Sequence, residues 1–153
     1  MFNVVMVHPE IPHNTGAAGR LALATGARLH LVKPLGFDID ASAVKRAGLD
    51  YWDDVDLVVW ESWEDFETSL AEDARLFCLT TKASKAHWDV EFKKGDYLLF
   101  GRETKGLEAE IRERYEGLKI PMVEGGTRSL NLATSVAIVL YEGCRQVGGN
   151  FKF

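Results

Sequence analysis

Three glycine-bearing loops hold most of the residues whose types and spacing suit chemistry. The first runs HPEIPHNTG into Asn14-Thr15-Gly16-Ala17-Ala18-Gly19-Arg20. Small residues at 16 to 19 allow another backbone or a ligand to come close, and Arg20 then projects from a tightly packed turn. A helix packed closely on a sheet, with a surface arginine, would leave the same pattern. In the second loop Gly101 directly ends an apolar strand, and Glu103 and Gly106 follow before a helix. Glycine there permits a positive-φ turn or a bare backbone edge against a ligand; an ordinary βα turn is the other reading. In the third, Ile120-Pro121 closes a strand, Gly125-Gly126 turns the chain, and Ser129-Leu130-Asn131 opens a helix. Ser129 reads as the cap of that helix. Asn131, inside the first turn of an apolar helix, reads as a buried amide in need of partners.

Familiar signatures are missing. No GxGxxG follows a strand, and Gly101 to Gly106 begins a P-loop only to place Leu107 and Glu108 where Lys and Ser/Thr are required. His8 with Glu10 or His13 lacks the spacing of a helical zinc site, and no GxSxG elbow occurs. No metal is therefore expected. His8 and His13 stay outside the predicted site, since a loop histidine without a ligand partner is more often structural.

The elements that must position these loops alternate. Phe2–His8, Leu29–Val32, Leu57–Trp60, Arg75–Leu79, Tyr97–Phe100 and Lys119–Met122 read as strands. Helices are expected from Asn14 or Thr15 to Gly26, over Ser42–Ala47, from the cap Ser62 to about Ala71, over Leu107–Tyr115 and onward from Ser129. Such alternation implies a mostly parallel α/β sheet covered on both faces, with its ligand site beyond the carboxyl ends of the strands. The last helix is apolar nearly all round from Leu130 to Leu140, so it is buried on more than one side, one of them a second subunit.

The 153 residues fit one domain, 1–153, with no repeat or linker. At 46% hydrophobic and 27% charged they can bury a real core. No run approaches the ~18 apolar residues of a membrane span, and the start does not read as a signal peptide. Cys78 and Cys144 form no disulfide framework, which suits a reducing cytoplasm. The formal charge of −5 argues against a nucleic-acid partner until it is mapped along the chain. Residues 50 to 73 carry ten acidic residues and no basic one; the remainder holds 18 basic and 13 acidic residues, a net of +5. Lys82, Lys85, Arg102, Lys105 and Arg128 all fall in strand-end loops, so the acidic stretch is expected on an outer face and the cations at the working end.

Taken in order, HPEIPHNTGAAGR, FGRETKGL and IPMVEGGTRSLNLATSVAIVLYE resemble the three signature motifs of the SPOUT class of RNA methyltransferases. From Phe2 to about Val147, and including RAGLDYWD at Arg46–Asp53, the chain is similar to the short tRNA wobble-position ribose 2′-O-methyltransferases of the TrmL type. The resemblance implies a parallel sheet flanked by helices, with its C-terminal segment tucked into a trefoil knot, an exception to the unknotted rule. It implies S-adenosyl-L-methionine as cofactor, a homodimer with each active site at the interface, and the tRNA anticodon stem-loop as substrate. The wobble C or U would be methylated, on leucine isoacceptors in relatives. Carried over by position, cofactor contacts fall on Leu79, Gly101, Ile120, Ser129 and Leu130. Asn14, Glu103 and Asn131 match polar substrate-side positions, Tyr141 and Arg145 match positions near the RNA, and Arg20 is the expected catalytic residue. Other readings stay open: methylation of another tRNA or rRNA position, a non-catalytic knotted RNA-binding protein, or a nucleotide-binding α/β domain with some other ligand.

Overall fold

The computed structural model describes residues 1–40, 42–149 and 151. Six strands, β1 (Asn3–Val7), β2 (Arg28–Val32), β3 (Leu57–Trp60), β4 (Leu76–Leu79), β5 (Tyr97–Phe100) and β6 (Glu116–Leu118), form one sheet in the order β3-β2-β1-β5-β4-β6. Every pairing is parallel. Parallel strands need crossovers, and helices supply most of them: α1 (Pro12–Thr25), α2 (Ser42–Gly48), α3 (Trp63–Thr68), α4 (Ala109–Arg112) and, after β6, α5 (Leu132–Val147). Because helices cover both faces, the central strands are apolar without alternation. In β1, Val4 and Met6 join the core beneath α1 and α5, while Val5 and Val7 join a second core with Phe66, Leu107 and Ile111.

The predicted parallel sheet is present, with local corrections. α1 begins at Pro12, two or three residues earlier than expected, since proline suits a first helical position where no amide partner is needed. It ends as expected at Gly26, which takes the left-handed conformation at φ 72. Ser62 does cap α3, accepting from the Asp65 amide at 3.1 Å, but that helix stops at Thr68. The helix expected over Leu107–Tyr115 shrinks to α4. The last strand is Glu116–Leu118 and not Lys119–Met122; beyond Leu118 only Lys119 keeps an isolated bridge, to Ala86, and Pro121 has no amide to donate. Ser129 is no helix cap. Asn131 caps α5, its side chain accepting from the Thr134 amide at 3.1 Å, and it is exposed where burial was expected. Two 3-10 turns, Leu49–Asp54 and His87–Asp89, were not anticipated.

A buried histidine gives the fold a pH dependence. His30 on β2 is 4% exposed; its Nδ1 accepts from Trp60 Nε1 at 3.1 Å, and its Nε2 faces Asn3 Oδ1 at 3.0 Å. Indole N–H only donates, so the ring is held neutral with its proton on Nε2. Burial, reinforced by Arg28 and opposed by Asp56, pushes the His30 pKa down to about 4. The unfolded chain therefore takes up the proton first as pH falls. The stabilisation is intact above about pH 6.5 and is lost progressively toward pH 4, a loss on the order of 2–3 kcal/mol. Urea unfolding at stepped pH should show this decline, and His30→Asn should flatten it.

Candidate active site

The strand ends are level where the cleft opens. Leu79 pairs with Phe100 on one side and with Leu118 on the other, so Thr80, Gly101 and Lys119 leave the sheet together. Beyond them lies a cleft of about 510 Å³, within the usual size range for a small-molecule site. Leu79, Gly101, Ile120, Ser129 and Leu130 line it, and so do Asn14, Glu103 and Asn131. Arg20, Tyr141 and Arg145 do not.

Gly101 owes its identity to its own chain. A Cβ there would stand 2.0 Å from Gly106 C and 2.1 Å from Leu107 N, because the loop folds straight back over it. The left-handed residue of this loop is Gly106, at φ 68, whose amide donates to Arg102 O at 2.8 Å. Of the two reasons expected for a glycine at 101, close approach of backbone is the one present, and there is no positive φ at this position.

Glu103 has a structural duty that the motif did not disclose. Its carboxylate accepts from the amides of Glu10 (3.0 Å to Oε2) and Ile11 (2.7 Å), which lie at the start of α1, where Ile11 supplies no side-chain cap of its own. Glu10 returns the contact, accepting from the Thr104 amide at 3.1 Å and the Thr104 hydroxyl at 2.7 Å. Hydrogen bonds from Thr104 hold the Glu10 carboxyl below its ordinary range, whereas burial raises that of Glu103 against the pull of its two amides. This reciprocal clasp locks the first loop to the second. The third is tied in by Asn131, whose Nδ2 donates to Oδ1 of the buried Asn14 at 3.1 Å. Glu10 and Thr104 were missed because nothing local marks side chains that bond to partners more than ninety residues away.

The electrostatics of the cleft are basic. Lys82, Arg102, Lys105 and Arg112 line it, and no residue from 50 to 73 does. Arg102 donates weakly to Glu108 at 3.4 Å, while its Nε is buried without a partner. A buried, unpartnered guanidinium nitrogen beside strand-end backbone fits a ligand carrying an anionic or polar group.

Three predicted residues sit elsewhere. Arg20 is exposed on α1, its Cζ 5.6 Å from the centroid of the Tyr51 ring. Tyr141 is half exposed and stacks on Phe151. Arg145 is engaged by its own helix, donating to both oxygens of Glu142 at 2.9 and 2.8 Å, and these bonds hold the Glu142 carboxyl down to about 2. Of the expected phosphate-binding cations, Lys85 is paired with Glu116 at 2.9 Å, and Arg128 is exposed outside the cleft. Among the described residues no cluster of His, Cys, Asp or Glu suits a metal ion, and no helix is long and apolar enough to cross a membrane.

A parallel sheet with a basic cleft at level strand ends, tied together by interlocked loops, defines an α/β protein with a small-molecule site at the carboxyl ends of its strands. The chain belongs to the SpoU rRNA Methylase family, whose profile matches residues 1–141. It is 47% identical over 152 residues to a tRNA (cytidine(34)-2'-O)-methyltransferase of Burkholderia ambifaria, covering 97% of each chain. Among solved structures it is similar, with a TM-score of 0.93 and 45% identity over 95% of each chain, to one concerned with 2-OH methylation of C/U34 on tRNA. An AdoMet-bound rRNA methyltransferase from Sinorhizobium meliloti shares 26% identity at a TM-score of 0.83, over 94% of this chain and 56% of that longer one.

Proposed function

We propose that this protein is an S-adenosyl-L-methionine-dependent 2′-O-methyltransferase of the wobble nucleotide of tRNA, acting on C or U, with leucine isoacceptors as the substrates to try first. One observation carries the reading: a chain 47% identical, end to end, to a wobble-cytidine methyltransferase brings residues of three distant loops into one basic cleft. The cleft residues fit the cofactor. Strand-end backbone at Leu79, Gly101 and Ile120, with Ser129 and Leu130 beside it, would hold the adenosine, and the orphaned Arg102 Nε offers a donor to a carboxylate. When bound, the cofactor supplies an electrophilic sulfonium methyl.

The protein's own task is alignment of the ribose hydroxyl and control of its proton. A guanidinium rarely gives up its proton, so Arg20 serves best by orienting the adjacent phosphate and stabilising the developing alkoxide. Asn14, Glu103 and Asn131 hold the loops that carry this arrangement.

Arg20 lies outside the cleft of its own protomer, which favours a homodimer with the active site where two copies meet. The outward side of α5 supports it: Leu132, Ala133, Ala137 and Ile138 are only half buried, and Tyr141 on the same helix is exposed. We propose further that 1–153 forms a single SPOUT domain closed by a trefoil knot. Amides of Thr80, His87 and Lys119 donate to the carbonyls of Leu118, Lys119 and Lys85, bonding the 80–87 loop to the segment that follows β6, which supports that reading. The free, buried Cys78 and Cys144 suit a cytoplasmic protein.

Labelled methyl transfer to bulk tRNA, followed by mass spectrometry of the digested tRNA, tests the reading. A 2′-O-methyl group at the wobble nucleotide is expected. A methyl group elsewhere in tRNA or in rRNA would replace the substrate, and tRNA binding with no transfer would leave a non-catalytic RNA-binding protein. Binding should also weaken steeply with salt. With about four phosphates contacted by the cleft cations, each doubling of salt should cost roughly tenfold in affinity, and a flat profile would remove them from the interface.

A further inference from the structure

Gly19 and Arg20 are neighbours on α1, and Tyr51 and Trp52 are neighbours on the 3-10 turn Leu49–Asp54 that packs against it. The two pairs meet. The Trp52 ring is buried so close to Gly19 that a Cβ there would stand 2.6 Å from its Cζ3. Tyr51, half exposed, sets its ring centroid 5.6 Å from Arg20 Cζ. One aromatic side chain anchors the turn to the helix; the next meets the guanidinium.

The choice of an aromatic partner is chemically pointed. Asp50, Asp53 and Asp54 are exposed on the same turn, yet no salt bridge among the described residues includes Arg20. A carboxylate would take the N–H edge of the guanidinium bidentately and cancel its charge. A ring carries no charge and no carboxylate acceptor, so a guanidinium over it keeps its positive charge and its capacity for a bidentate contact elsewhere.

We propose that Tyr51 is a positioning residue that aims Arg20 through this face contact while keeping its donor edge open for a phosphate or alkoxide of the substrate. The proposal rests on the role given to Arg20 above. Nothing in the segment RAGLDYWD by itself separates Tyr51 from its neighbours, because the contact joins residues 31 positions apart.

The test is methyl transfer to tRNA by the full chain carrying Tyr51→Phe, Tyr51→Leu or Tyr51→Glu, with Arg20→Ala beside them. Tyr51→Phe keeps the face and should retain the rate within about twofold. Tyr51→Leu should lower kcat roughly tenfold while S-adenosylhomocysteine affinity and melting temperature stay near those of the unaltered protein. Tyr51→Glu should fall further, since it puts a carboxylate on the guanidinium. A Leu variant at full rate, or a Phe variant as slow as the Leu variant, would overturn the proposal. Should the Leu variant unfold, Tyr51→Trp against Tyr51→Gln gives the same contrast of ring against no ring. Arg20→Ala at full rate would instead defeat the role of Arg20 itself, whereas an inactive Arg20→Ala beside a fully active Tyr51→Leu defeats only that of Tyr51.

Discussion

Gly101→Ala should abolish useful cofactor binding, with S-adenosylhomocysteine affinity falling at least about 100-fold in calorimetry, some 2.7 kcal/mol. The added methyl would lie 2.0 Å from Gly106 C, 2.1 Å from Leu107 N and 2.5 Å from Gly106 O. All three are backbone atoms, so no rotamer change relieves the clash and the 102–106 loop must move away. That movement breaks more than a cradle. It draws Glu103 from the Glu10 and Ile11 amides and Thr104 from the Glu10 carboxylate, releasing the start of α1. The melting temperature should therefore drop by several degrees as well, in line with overpacking costs of about 1–3 kcal/mol. Gly126→Ala is the matched control. Its Cβ would meet only Val123, at 3.2 Å, in an exposed loop, and binding should be little changed. A Gly101→Ala variant that binds within threefold of the parent would remove the close-approach account of this glycine.

The legible part of this protein is the part governed by local pattern. Continuous apolar runs gave β3 and β5 residue for residue, because strands of a sheet covered by helices on both faces need no alternation and stand out against polar loops. Gly26 and Ser62 carried their capping roles on their faces. The loops at the strand ends drew attention through composition alone, and most of the residues singled out in them do line one cleft. What failed to show was pairing at long range. The β6 boundary depends on where β4 stops offering partners, so Lys119–Met122 looked as strand-like as Glu116–Leu118. Asn131 looked buried since its neighbours are apolar, yet it is an exposed cap that also reaches Asn14, 117 positions away. The charge was half legible. The acidic stretch does stay out of the cleft, but its first residues do not form a purely solvated face, for Tyr51 and Trp52 sit within it and meet Arg20 and Gly19 on α1.

Arg20→Ala should lower kcat by two to three orders of magnitude, about 3–4 kcal/mol of transition-state stabilisation, while leaving cofactor affinity unchanged. The separation follows from where the side chain sits. Arg20 makes no contribution to the walls of the cleft, and it lies on the side of α1 that meets Tyr51. Its removal empties no cofactor contact and disturbs no core residue, so the melting temperature should also hold. Lysine then divides the two remaining roles. An ammonium keeps the positive charge but gives up the planar fork and much of the stacking on an aromatic face. If orientation by a bidentate contact dominates, Arg20→Lys should be nearly as slow as Arg20→Ala. If charge alone stabilises the alkoxide, it should recover most of the rate. Recovery would discard the planar role and with it the reason for an aromatic partner at position 51, so the lysine variant judges the geometry on both sides of that contact.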